Sequence, residues 1–268
     1  MQLTDKVTII TGAGSGIGRA LAKAFAVNGA RAVICTDLNG DSAAQTASLI
    51  GPQAFAEVLD VGDESAIESL VARIQKDHDG IDVFASNAGY GRPCGLEMPT
   101  SEWQQMMNVH TWSHLAAARA VIPGMIARGG GYLLNTASAA GLLSVFDSGG
   151  GYAVSKHAAV ALAEWLSINY MGQGIGVSVL CPQAVRTNAL NYLENPKDQL
   201  DIVQAVGDGI LEPEVVADLC IEAMADGRFL VLPHEEVRTY FQHKANDYDR
   251  WLSGMRRTRS RLQPEGSA

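Results

Sequence analysis

VTIITGAGSGIGRALAKAFAVNG, residues 7–29, decides how this chain folds. Five β-branched residues, Val7 to Thr11, read as a buried strand, and from Gly16 onward the apolar residues recur at helical spacing. Between them Gly12, Gly16 and Gly18 permit a tight turn and a close approach to the backbone. The free N–H groups and positive dipole at the helix start would attract a phosphate. Strand, glycine turn and helix in that order point to a dinucleotide site, although a glycine cluster alone can equally be a structural strand-to-helix turn.

The same rhythm continues along the chain. VTIIT (7–11), AVICT (32–36), QAFAEV (53–58), DVFAS (82–86), GYLLNTA (131–137), GVSVLC (176–181) and FLVLP (229–233) read as seven strands. Helical stretches at 16–29, 64–77, 101–129 and 152–171 lie between them. Such alternation predicts βαβ units, hence an α/β fold with a parallel seven-stranded sheet covered by helices on both faces. At 268 residues, 47% of them hydrophobic, the chain is expected to form a single domain over residues 1–268. Residues 186–211 break the rhythm after the sixth strand and are expected to form a substrate lid, because right-handed crossovers bring the C-terminal ends of all the strands to one rim. Residues 234–268 form a C-terminal extension, either a solvated amphipathic helix or a subunit contact.

Bulk composition excludes several classes. A formal charge of −9 opposes attraction to nucleic acid and to anionic membranes, and no apolar run approaches the roughly 18 residues that a span needs. Neither an export nor a membrane signal is visible. The four cysteines, Cys35, Cys94, Cys181 and Cys220, are too scattered for a metal motif and too few for a disulfide framework, which fits a reducing cytoplasm. The six histidines show no pair at metal-ligand spacing with acidic support, so no catalytic metal is expected.

Asp37 ends the second strand about twenty residues beyond Gly18, where a carboxylate accepts from both ribose hydroxyls of NAD and repels a 2′-phosphate. Leu38, taken with it as cofactor-binding, and Asn39 supply no arginine for NADP. Asp37 as a plain helix cap is the other reading. Tyr152 and Lys156, at i and i+4, share a helix face, so the ammonium is expected to draw the phenol down from about 10 towards neutrality.

Together these motifs resemble the short-chain dehydrogenase/reductase family in its form of about 250 residues. The resemblance covers roughly residues 5 to 233 and rests on five motifs in order: TGAGSGIG, Asp60-Val61, NAG at 87–89, Ser138 with Tyr152 and Lys156, and PQAVRT at 182–187. It implies a Rossmann-type doubly wound sheet. It also implies that Gly12, Ser15, Gly16, Ile17 and Gly18 hold the pyrophosphate side, Asp60 and Val61 the adenine, and Asn87, Ala88 and Gly89 the dinucleotide. Pro182, Val185 and Thr187 would face the nicotinamide. By the family mechanism Ser138 binds the carbonyl oxygen, Tyr152 transfers the proton, and Lys156 holds the nicotinamide ribose and tunes Tyr152.

Three departures stand out. His110 occupies the usual position of a catalytic Asn and reads as a proton-relay member, a neutral packing substitute or a mark of lost activity. Gln183 replaces a usual Gly. The loop from Ser138 to Tyr152 is longer, and SGGG at 148–151 suggests mobility or a plain linker. Leu142, Leu143, Val145, Phe146, Tyr90, Leu190 and Tyr192 are expected around an apolar, aromatic or polycyclic secondary alcohol or ketone. The alternatives are an NAD-binding sensor or partner-binding protein without turnover, and an elimination or isomerisation with bound NAD. Relatives commonly form tetramers through the helices beginning near Ser101 and Gly151, which implies a homotetramer or homodimer.

Overall fold

The computed structural model describes residues 1–146, 149–188 and 207–262. One parallel sheet contains β1 (Val7–Thr11), β2 (Ala32–Asp37), β3 (Ala54–Val58), β4 (Val83–Ser86), β5 (Gly131–Thr136), β6 (Ile175–Leu180) and β7 (Leu230–Val231). Their spatial order is β3-β2-β1-β4-β5-β6-β7. The order reverses between β1 and β4, and ligands of such sheets bind beyond the strand ends at that switch point.

Among the described residues the helices are α1 (Gly16–Val27), α2 (Gly40–Ile50), α3 (Glu64–Asp77), α4 (Thr100–Met107), α5 (Ser113–Ala127), α6 (Gly150–Tyr170), α7 (Pro213–Asp226), α8 (Glu235–Asn246) and α9 (Tyr248–Leu262). Alternate strand residues feed two cores. Val7 and Ile9 pack with Ile67, Leu70 and Ile74 of α3, Val121 of α5 and Leu166 of α6. Ile10 and Val33 pack on the opposite face with Leu21 and Phe25 of α1 and Met224 of α7. A sheet buried on both faces gives the near-continuous apolar runs by which its strands were legible. The outermost full strand, β3, is the exception, with Phe55 and Val58 exposed at the edge.

Helix 64–77 follows its predicted bounds because Asp63 caps it, accepting from the Ser65 and Ala66 amides. The continuous helix expected over 101–129 is instead divided by a π-helical turn at Asn108–Trp112, in which the Ser113 N–H reaches back to the Asn108 carbonyl. Gly150 and Gly151 form no linker. They begin α6, where the Gly151 N–H donates to the Cys94 carbonyl at 2.9 Å and a Cβ would stand 2.6 Å from Cys94 Sγ. No helix among the described residues is long and apolar enough to cross a membrane.

Candidate active site

A cleft of about 1220 Å³ opens at the C-terminal rim of the sheet. Gly12, Ser15, Gly16 and Ile17 line one end, together with Asp37. Gly12 and Gly16 hold φ of +65° and +51°, a region that strains any residue with a Cβ. A Cβ on Gly18 would collide with the Gly12 carbonyl, so this glycine lets α1 begin against the turn. The side chain of Ser15 makes no cap and the first turn of α1 carries no acid, leaving the helix start open to an anion. This glycine cradle, with an open helix start and a carboxylate beyond it, fits a dinucleotide.

Asp37 is fixed by accepting from the Gly14 amide and the Asn39 amide, both at 2.9 Å. It does not cap α2; Asn39 does, accepting from the Ser42 amide. Asn87 joins three strands: its amides donate to Thr11 Oγ1 at 2.9 Å and the Thr11 carbonyl at 3.1 Å, and its oxygen accepts from Thr136 at 3.2 Å. This holds Asn87, Ala88 and Gly89 along the cleft floor. Pro182, Val185 and Thr187 line its far side. Leu38, Asp60 and Val61 do not line it. Leu38 and Asp60 are exposed, while Val61 is buried at the β3 end.

Ser138, Tyr152 and Lys156 converge in the middle of the cleft. Ser138 is extended and caps a short turn over Ala139–Gly141, accepting from the Ala140 amide at 3.1 Å. That turn lies hard against α6, where a Cβ on Gly141 would stand 2.6 Å from the Lys156 carbonyl oxygen. The close approach places the Ser138 hydroxyl in hydrogen-bond contact with the Tyr152 phenol. Lys156, almost wholly buried, donates to the Thr136 carbonyl at 3.1 Å and lies 5.8 Å from the centre of the Tyr152 ring.

The expected downward shift of Tyr152 is not found in the protein alone. Burial pushes the phenol above its usual range, with the Ser138 hydrogen bond working against it. Burial likewise lowers Lys156 to about 8. Desolvation penalises both charged forms, and here it outweighs the i, i+4 pairing on which the expectation rested.

His110 is wholly buried and does not itself line the cleft. Its Nε2 accepts from the Tyr90 amide at 3.2 Å, so the neutral ring carries its proton on Nδ1 and donates to Ser155 Oγ at 2.9 Å. Ser155 Oγ in turn donates a hydrogen bond to the Tyr152 carbonyl at 2.9 Å. Burial first, then the Lys156 charge, hold the imidazole well below its usual pKa. Both ring nitrogens are engaged by protein groups, the Tyr90 amide and the Ser155 hydroxyl.

Of the expected substrate wall, Tyr90, Leu143, Val145 and Phe146 line the cleft, whereas Leu142 is buried in the core. Leu190, Tyr192 and most of the proposed lid at 186–211 lie outside the described residues. Gln183 reaches across the cleft wall, donating from Nε2 to Asp208 at 3.1 Å, and Asp208 accepts from Tyr240 at 3.0 Å.

Sequence reasoning missed the contribution of the C-terminal extension. Tyr240 and His243 of α8 and Asp247, Arg250, Trp251, Arg257 and Arg261 in and before α9 line the same cleft. The extension is fastened by Lys244, a buried lysine donating to the Leu142 and Leu143 carbonyls at 2.7 and 2.6 Å, with Tyr248 and Trp251 rings beside it. The signal was present in the spacing of 247, 250, 251, 254, 258 and 261 along one helical stripe.

The short chain dehydrogenase family model matches residues 6–198. A 1-deoxy-11-beta-hydroxypentalenate dehydrogenase of Streptomyces exfoliatus is 35% identical over 263 residues, spanning 94% of this chain and 92% of that protein. Among solved structures, a short-chain dehydrogenase/reductase from Burkholderia phymatum in complex with NAD superposes with a TM-score of 0.83 at 29% identity, covering 93% of this chain and 96% of that one. A hydroxysteroid dehydrogenase from Escherichia coli gives 0.73 at 27% identity, covering 86% and 96%. With its fold, glycine cradle and Ser138-Tyr152-Lys156 cluster all accounted for, this chain belongs to the short-chain dehydrogenase family.

Proposed function

We propose that the protein is an NAD-dependent oxidoreductase that interconverts a secondary alcohol and a ketone on an apolar, polycyclic small molecule. The observation carrying this reading is the convergence of Ser138, Tyr152 and Lys156 within a cleft that continues to the Gly12–Ile17 turn and Asp37. The bound nicotinamide supplies or accepts the hydride. Ser138 donates a hydrogen bond to the substrate oxygen. Tyr152 gives that oxygen its proton in reduction and takes it back in oxidation, while the Lys156 ammonium favours the phenolate. Gly12, Ser15, Gly16, Ile17 and Gly18 hold the pyrophosphate side, Asp37 the ribose, and Asn87 to Gly89 with Pro182, Val185 and Thr187 the nicotinamide side.

His110 is a positioning residue in this scheme. Through Ser155 it fixes the backbone of Tyr152, and through the Tyr90 amide it fixes the loop opposite. A braced Tyr152 favours turnover over a sensor that has lost its chemistry. The polycyclic substrate is supported by the apolar wall of Leu143, Val145 and Phe146 and by the relatives that act on hydroxypentalenate and hydroxysteroids. Exposed Val154, Trp165 and Ile168 on α6 support burial of that helix between subunits of a homotetramer, for which light scattering is the direct check. Four free, buried cysteines suit a reducing cytoplasm.

The test is absorbance at the NADH band with purified protein, NAD or NADP, and a panel of polycyclic secondary alcohols. Turnover with NAD that Tyr152→Phe abolishes supports the reading. NAD binding without turnover across the panel sinks it.

A further inference from the structure

The cleft wall formed by α9 is cationic. Arg250, Trp251, Gly254, Arg257, Thr258 and Arg261 all face the cleft, at the three- and four-residue steps of one helical face. Arg256 does not line it and donates to Ser253 Oγ at 3.1 Å instead. Among the described residues no carboxylate forms an ion pair with Arg250, Arg257 or Arg261. The nearest acid in sequence on that wall, Asp247, accepts from the Arg250 amide at 2.9 Å and so serves the helix start.

Unpaired like charges at i and i+4, as Arg257 and Arg261 are, destabilise a helix. Gly254 in its middle weakens it further, and the missing side chain leaves room between Arg250 and Arg257, since a Cβ there would meet only Arg257 Nη2 at 3.8 Å. In a chain of net charge −9, these three guanidinium groups stand on one cleft wall with no ion-pair partner among the described residues. Guanidinium groups bind carboxylates and phosphates in bidentate pairs. Lys244, in the last turn of α8 and packed under the Tyr248 and Trp251 rings of α9, donates to the Leu142 and Leu143 carbonyls of the loop that follows Ser138, and so holds the start of α9 near the substrate end of the cleft. Apolar Leu143, Val145 and Phe146 line the same cleft.

We propose that Arg250, Arg257 and Arg261 form an anion-binding roof, so that the substrate is an apolar alcohol or ketone bearing a carboxylate remote from the reacting carbon. This rests on the oxidoreductase reading of the same cleft. The apolar wall orients the ring system while the arginines take its charged end.

The test uses the full chain loaded with NADH and a panel of ketones of one to four fused rings, each as a remote carboxylic acid and as its methyl ester. Binding is measured by calorimetry at two salt concentrations, and NADH consumption in parallel. Acids should bind about ten- to hundredfold more tightly than their esters, with the gap shrinking in salt. In the R250Q/R257Q/R261Q variant the gap should vanish while ester binding and NADH affinity persist, which also reports an intact fold. R256Q should retain the gap. Equal binding of acids and esters, binding of neither, or a gap that survives the triple substitution overturns the proposal. So does a triple variant that loses NADH affinity and keeps the gap, because the arginines would then serve the dinucleotide phosphates. A gap in binding without NADH consumption sinks the oxidoreductase reading alone, and turnover indifferent to the acid sinks the roof alone.

Discussion

His110 Nδ1 lies 2.9 Å from Ser155 Oγ, and through that hydroxyl the imidazole is tied to the main chain of Tyr152. An asparagine is too short to keep both this bond and the one from the Tyr90 amide. His110→Asn should therefore lower kcat by about three- to tenfold, the cost of one lost hydrogen bond. The pH dependence should stay where it was, since the imidazole is already held neutral. Ser155→Ala should act in the same direction, and the double variant should cost less than the sum. A pH profile that moves with His110→Asn would restore the relay.

On the proposed mechanism Tyr152→Phe removes the proton donor, and it should reduce kcat by about two to four orders of magnitude while cofactor binding persists. Burial raises the pKa of the wild-type phenol, so it is protonated at neutral pH. Reduction, which needs the phenol, should be flat near neutrality and fall in alkali. Oxidation, which needs the phenolate, should rise with pH along the same limb. Both limbs belong to the Tyr152–Lys156 pair jointly. Rates in the two directions as a function of pH provide the check, and an oxidation rate that falls as pH rises from neutrality would exclude Tyr152 as the base.

Asp37 both faces the cleft and accepts from the Gly14 amide. Asp37→Ala should lower kcat/KM with NAD and relieve repulsion of the 2′-phosphate, so that the NAD-to-NADP ratio falls by about tenfold or more. An unchanged ratio would place cofactor choice elsewhere.

His114 is buried, and neither ring nitrogen has a protein partner. Burial first, then the Lys156 charge, lower its pKa from 6.5 to about 3. In the unfolded chain the ring protonates as pH falls through 6.5, whereas the folded ring resists until about 3. Stability is thus fully present above 6.5 and is lost progressively below it, by about 2 kcal/mol at pH 5. His114→Leu breaks no hydrogen bond and should show a smaller fall in Tm between neutral pH and pH 5 than the wild type. An equal fall in both would assign the acid sensitivity to other groups.

The sheet was legible because strands covered on both faces carry apolar runs, and the glycine turn because Gly12 and Gly18 answer steric demands that another residue cannot meet. Ser138, Tyr152 and Lys156 were legible only as an ordered set. The π-turn around His110 was not, since no local signal separates it from the flanking helical period. Leu142 looked like a substrate contact because apolar loop residues line cores and clefts alike. The arginine stripe of α9 escaped notice for a different reason: an Arg-rich amphipathic helix reads the same in sequence whether its stripe faces solvent, another subunit or a cleft, and only the fold brings it to the cleft.

That anchor joins two parts of the chain that sequence keeps a hundred residues apart. Lys244 is the hook and the Leu142–Leu143 carbonyls are the eye, so the tail and the loop behind Ser138 must be inherited, exchanged or redesigned as a matched set. A chimera that borrows a foreign tail without its loop would unseat the chain next to Ser138. These two hydrogen bonds thus tie the region the family model covers, residues 6–198, to the tail beyond it.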